Sequence, residues 1–355
     1  MKLGSDLLVQ ELINIFGASQ AYNLLNQADY SSKARWLFAF YIHLPQSEIT
    51  DKYLRQLYTL YQTSQVDEIP QDLNFLLRYR FLDEKVIIQV IDILIERSVE
   101  NLNYSRSFLN LFSPYSEINK IISELLKSDL SLLKQAYFLG LKLDPYLDDG
   151  KTFAHILEVD SSFLLDYIDW VHNKDERIRR DDFCDFSCVW KGSNYKKLMY
   201  EAIERIYNYE KVSLWQIASS FFILSAEEKD TDLLQERQYQ FLKVLIEQRY
   251  SDIKFMMFIF EIITNLPLSR KQLLAVFLDH NRSFEDFRHL PLEPDFWSCN
   301  GSAVPMYRKR AEYFESLLPL LSKIEFLQHR QHLERIVQEI REIIENEKKR
   351  DFLRE

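Results

Sequence analysis

The chain has 355 residues, of which 47% are hydrophobic and 28% charged, with a formal net charge of −10; that is enough apolar length to bury a sizeable core, in one large domain or two. Only six glycines occur, against an average usage of about 7%, which excludes Rossmann sheets, P-loop domains and turn-rich β folds, because those need positive φ or close backbone approach. The acidic excess is spread along the chain with no basic half. Tight nucleic-acid binding is therefore not expected, since phosphate neutralisation supplies much of that affinity.

The first segment, MKLGSDLLVQELINIFG, holds Asp6, Gln10 and Glu11 inside its apolar run and reads as an amphipathic helix rather than a signal peptide. Helical apolar spacing then recurs, predicting helices over 5–16, 18–28, 31–44, 47–64, 70–80, 84–98, 103–112, 115–127, 130–143, 150–158, 161–174, 178–189, 193–209, 213–224, 228–250, 252–266, 268–281, 305–321 and 322–350. Pro45, Pro114, Pro145 and Pro267 stand after helices. Ser5, Ser47, Asp129, Asp160, Ser213 and Asp252 stand where an N-cap oxygen accepts free backbone N–H groups. The most apolar run, FMMFIFEIITNL, contains Glu261 and is far shorter than the ~20 residues of a membrane span.

An internal echo runs through the chain. Offsets +3, +4, +7 and +8 are apolar from Asp129 (Leu132, Leu133, Ala136, Tyr137), from Asp160 (Phe163, Leu164, Tyr167, Ile168) and from Asp252 (Phe255, Met256, Ile259, Phe260). The first two starts are 31 residues apart, near the ~30–47 residues of helical-hairpin repeats, although any capped amphipathic helix shows such offsets. The expectation is an all-α fold, an irregular α-solenoid of antiparallel helical hairpins over 1–281. An irregular loop and a C-terminal helical cap follow over 282–355. The long last helix, with Phe326, Leu333 and Ile340 at seven-residue spacing, closes the solenoid or pairs as a short coiled coil.

Segment 283–304 breaks the helical pattern. Its aromatics argue against disorder, and Phe284, Phe287 and Trp297 beside Arg288 and His289 are of the types that anchor interfaces. These five are the expected partner-binding residues, the alternative being that the aromatics only staple the loop to the terminal helices. Arg282 and His289 resemble the Arg-x(4–6)-His signature of HEPN ribonucleases, a match that arises by chance about once in such a chain; they are the alternative catalytic pair.

Other chemistry is sparse. Cys184 and Cys188 share a helix face, but Cys299 is remote and four ligands are needed for structural zinc, so no metal is expected. Three cysteines make no disulfide framework and suit a reducing, cytoplasmic compartment. His329 and His332, from HRQH, read with Arg330 and Arg335 as a solvated polar face. The tetrapeptide WKGS at 190–193 has the wrong order for a P-loop, and no cofactor motif is present. RYRF (78–81) and ERIRR (176–180) are followed by acids, as on solvated faces.

The overall pattern resembles HEAT- or armadillo-type solenoids. The stretch FLDHNRSFEDFRHLPLEPDFWSCNGSAVPMYRKRAEYFESLLPLL, chiefly GSAVPMYRKR and ESLLPLL, resembles the helical arms of large bacterial defence-type signal-transduction ATPases. That resemblance implies a sensor or scaffold arm and carries no catalytic residues. The expected function is therefore non-enzymatic recognition of a protein partner, with an all-α nucleic-acid-processing enzyme as the alternative.

Overall fold

The computed structural model describes residues 2–29, 33–71, 73, 84–112, 119–144, 147, 151–173, 186–224, 230–264, 266–293 and 302–352. Among them there is no β-strand, and the fold is all-α. The chain divides into two compact units, residues 1–161 and 162–355. The expected boundary at 281/282 lies inside the second of these.

The first unit contains α1 (Lys2–Phe16), α2 (Ala18–Gln27), α3 (Lys33–His43), α4 (Asp51–Thr63), α5 (Glu84–Ser98), a 3₁₀ segment (Leu102–Phe112), α6 (Asn119–Ser128), α7 (Leu130–Leu143) and α8 (Lys151–Val159). Helix α5 has a wide apolar face, with Val86, Ile87, Val90, Ile91, Ile93, Leu94 and Ile95 buried and a polar stripe of Lys85, Gln89, Asp92 and Glu96 opposite. So wide a face must be covered by several elements, and α5 packs on α4, the 3₁₀ segment, α6 and α7. Helices α2, α3 and α4 meet through Tyr22, Phe40, Tyr41 and Tyr53. The Tyr22 ring lies 5.2 Å from that of Phe40 and 5.9 Å from that of Tyr53, edge to face, and the Tyr41 hydroxyl donates to the Tyr53 carbonyl at 3.1 Å.

Gly140, on α7, marks a close approach rather than a turn. A Cβ there would overlap the Leu147 side chain and touch Leu109 and Phe112 at 3.6 Å. Alanine favours a helix interior by about 1 kcal/mol over glycine, while overpacking a filled core costs ~1–3 kcal/mol. Gly140→Ala is expected to be net destabilising. A urea melt in which it stabilises the protein would contradict this packing.

The second unit contains α9 (Phe163–His172), α10 (Ser187–Lys191), α11 (Tyr195–Asn208), α12 (Val212–Ser220), α13 (Thr231–Arg249), α14 (Ile253–Ile262), α15 (Pro267–His280), α16 (Phe284–His289), α17 (Val304–Leu317), 3₁₀ turns at Leu318–Leu321 and Ile324–Phe326, and α18 (Leu327–Phe352). Packing follows chain order, with α9 on α11 and α12, α12 on α14, α13 on α14 and α15, α14 on α16, and α18 on α16 and α17.

All three echo helices bury the same four offsets, from Leu132 through Phe260. Asp129 and Asp252 cap them, accepting from the N–H groups of Leu132 (3.0 Å) and Phe255 (3.1 Å). Asp160 does not: α9 starts at Phe163, and the Asp160 carboxylate pairs with Lys134 instead. Other boundaries also differ. The helix expected over 47–64 is a 3₁₀ turn (Gln46–Glu48) followed by α4, with Thr50 extended between them. The last two expected helices are separated by 3₁₀ turns, because Pro319 lacks an N–H and blocks continuation of α17. The segment expected to be irregular from 283 contains α16. There the Ser283 hydroxyl accepts from the Asp286 N–H at 3.2 Å, Glu285 and Asp286 occupy the first turn, and Arg288 and His289 the last, all matching the helix dipole. Most of 70–80, together with 178–185 and 294–301, lies outside the described residues.

With glycine so scarce, helix C-termini are closed by other means. A left-handed glycine is the common solution, yet Gly17 is the only glycine with positive φ among the described residues, and Glu210, after α11, the only other residue. Side chains from elsewhere supply the missing donors to last-turn carbonyls. Arg97 donates to the carbonyls of Tyr61 (2.7 Å) and Ser64 (2.5 Å) at the end of α4. Lys211 donates to His172 at the end of α9 (2.8 Å), and Arg237 to Trp190 (2.6 Å) and Lys191 (3.2 Å) at the end of α10. The Trp190 indole N–H donates to Phe221 after α12 (2.6 Å), Asn281 to Tyr250 after α13 (3.1 Å), and Arg270 to Phe260 in α14 (3.1 Å).

Candidate functional site

The expected partner-binding segment begins where α15 ends. Asn281 fixes this corner: its amide nitrogen donates to the Tyr250 carbonyl and to Asp286 (2.9 Å), and its amide oxygen accepts from the Ser283 N–H (2.9 Å). The corner sets α16 down on the start of α18.

Phe284 and Phe287, one turn apart, both point towards α18. Phe287 is fully buried, with its ring 4.7 Å from that of His329, while Phe284 is half-buried, 5.6 Å from His329 and 5.8 Å from His332. Phe326 closes the other side of His329 at 5.2 Å, edge to face. Phe284 and Phe287 therefore pack α16 against α18. Arg288 and His289 remain exposed, Arg288 in an ion pair with Glu285 at 2.7 Å. Trp297 lies outside the described residues.

The histidine pair departs from its expected setting. His329 is 1% exposed, so it belongs to the core and not to a solvated face. Neither of its ring nitrogens has a hydrogen-bond partner among the described residues. Desolvation pushes its pKa below the usual histidine value, the Ser283 carbonyl opposes this, and the neighbouring His332 adds to it. His332 is half-buried; burial and the adjacent Arg335, whose guanidinium lies 3.1 Å from His332 Nδ1, also lower its pKa. The pattern F-x-x-F followed by F-x-x-H-x-x-H is visible in the chain, but its two halves lie about 40 residues apart and no local period links them.

The two residues of the alternative catalytic pair stand at either end of α16. Arg282 pairs with Glu325 at 3.2 Å, and His289 is exposed at the far end of α16. Cys184 and Cys299 lie outside the described residues, Cys188 is half-buried on α10, and among the described residues no group of three or more His, Cys, Asp or Glu side chains could hold a metal ion. RYRF and ERIRR also lie outside them. No helix among the described residues is long and apolar enough to cross a membrane.

A second polar cluster sits between α9 and α11. Asp169 accepts from Arg205 (2.8 Å) and from the Tyr209 hydroxyl (2.7 Å), and Tyr209 stacks on His172 at 3.7 Å. The hydrogen bond to Asp169, with burial, raises the Tyr209 pKa. Both Asp169 oxygens are engaged by donors from the neighbouring helix, so this cluster binds helix to helix.

No family model, curated protein or solved structure matches the chain.

Proposed function

We propose that the chain is a non-enzymatic helical recognition scaffold for a protein partner, an irregular α-solenoid of the HEAT-like kind. The observation that carries this reading is the outer face of α1. Leu7 (60% exposed), Leu8 (51%), Ile15 (68%) and Phe16 (45%) stand in solvent, while Val9 and Ile13 are buried. Four large apolar side chains left in solvent on one helix support an interaction surface there. The solenoid reading is supported by the bonds that run from one hairpin to the next: Trp190 to Phe221, Asn281 to Tyr250, Arg205 to Asp169 and Arg249 to Glu204 span 31, 31, 36 and 45 residues. Stacked hairpins present extended surfaces suited to partner proteins. The start of the 283–304 segment contributes a docking edge through Arg288 and His289, with Phe284 at the rim. The resemblance to the arms of defence-type ATPases fits a sensor arm working with a larger assembly in the cytoplasm.

The test uses two surface variants, Leu8→Glu with Ile15→Glu, and Arg288→Gln with His289→Gln. Both are expected to leave stability within about 0.5 kcal/mol per substitution, as exposed positions allow. Proteins cross-linked to the wild-type chain in its native cells, identified by mass spectrometry, should be lost from at least one variant. Identical cross-linked partners for the wild type and both variants would overturn the reading.

A further inference from the structure

We propose that the contact between α16 and α18 is a proton-operated latch, in which protonation of His329 releases α16 from its aromatic seat. The geometry is that of an imidazole closed in by Phe284, Phe287 and Phe326, with neither nitrogen hydrogen-bonded and 1% of its surface exposed. A neutral ring fits such a box; an imidazolium, with two N–H donors to satisfy, does not.

The surroundings offer the proton no counter-charge. On α18 the nearest titratable neighbour is His332, with Arg335 beyond it, while Arg330 is paired with Glu334. On α16, Arg288 and Glu285 pair with each other, Asp286 is held by Asn281, and His289 is exposed. Before α18, Glu325 is engaged by Arg282, and the 3₁₀ turn Leu318–Leu321 has no titratable side chain. Lys254 and Glu261 are the only charged residues of α14, and Glu315 of α17 pairs with Arg341. His329 also lies in the first turn of α18, whose dipole disfavours a cation there. The one acceptor facing the ring, the Ser283 carbonyl, already accepts the Phe287 N–H that begins α16, at 3.1 Å. That carbonyl can take one N–H of an imidazolium and leaves the second without an acceptor.

The sign follows. The closed form binds the proton less readily than the open form, so closure is complete above the ordinary histidine pKa of about 6.5 and weakens as pH falls below it. One unit below that value, about nine-tenths of opened His329 is protonated, which favours opening up to about tenfold over neutral pH. The latch stands whether or not a protein partner binds the chain.

Hydrogen–deuterium exchange of the α16 amides in the full chain, at about pH 7.5 and pH 5.5 and corrected for intrinsic exchange rates, tests it. The wild type should lose protection by up to about tenfold at the lower pH, and His329→Gln and His329→Phe should lose that dependence. Unchanged protection in the wild type, or the same loss in folded variants, would overturn the proposal. If neither variant folds, NMR titration of the His329 ring in the wild type decides: a pKa at or above the ordinary value overturns the latch, and one below it supports it.

Discussion

Trp190→Ala is expected to cost ~3–5 kcal/mol of stability, the range for truncating a buried aromatic side chain. Trp190 has no exposed surface and sits among Tyr195, Phe222 and Phe241, with ring centroids 5.4–5.7 Å away. Its indole N–H also closes α12 by donating to the Phe221 carbonyl, and its own carbonyl accepts from Arg237. One side chain thus joins α10, α12 and α13. Trp190→Phe separates the two contributions: it keeps an aromatic ring but leaves the buried Phe221 carbonyl without its donor, at about 1–3 kcal/mol. Urea denaturation followed by circular dichroism measures both. A loss under 1 kcal/mol for Trp190→Ala would show that this hub does not hold the second unit.

Arg270→Met is expected to cost on the order of 2–4 kcal/mol, because it leaves the buried Phe260 carbonyl without its donor at ~1–3 kcal/mol and also frees the part-buried Glu293 carbonyl. The Arg270 guanidinium is fully buried and donates to Phe260 in α14 and to Glu293 (2.8 Å). It also bonds the Tyr313 hydroxyl, whose pKa burial raises and Arg270 partly restrains. Arg270→Lys should recover only part of the loss, since an ammonium cannot span a fork of acceptors. Equal denaturation midpoints for Arg270→Met and the wild type would refute the capping role, as would unchanged amide exchange at the end of α14.

The helical class and most helix positions were legible because burial in a helix leaves a local period. The offsets counted from Asp129, Asp160 and Asp252 are buried in every case. What escaped was not local. Asp160 looks like a cap in sequence but is claimed by Lys134, 26 residues earlier. α16 is too short to show a period, and its signal was the Ser283-x-x-Asp286 cap with acids before bases. His329 reads as polar surface beside Arg330 and Arg335, and only the fold brings Phe284 and Phe287 over it. The segment from 283 stands out in the chain, yet the surface it packs against lies on a helix about 40 residues away. WKGS lacks the order of a phosphate loop, but nothing in four residues shows that its tryptophan closes a helix 31 residues downstream.

The borrowed helix ends carry a consequence for how the chain is made. In every case but α12, the donor lies downstream of the carbonyl it serves: Arg97 after Ser64, Lys211 after His172, Arg237 after Lys191, Arg270 after Phe260, and Asn281 after Tyr250. Apart from Arg270, the delay is 31 to 47 residues, or roughly 2–9 s of translation at about 5–20 residues per second. These five helices therefore leave the ribosome with an open C-terminus that is closed only when the later segment emerges. A stalled ribosome would hold a chain whose newest hairpin is frayed and whose earlier ones are already sealed.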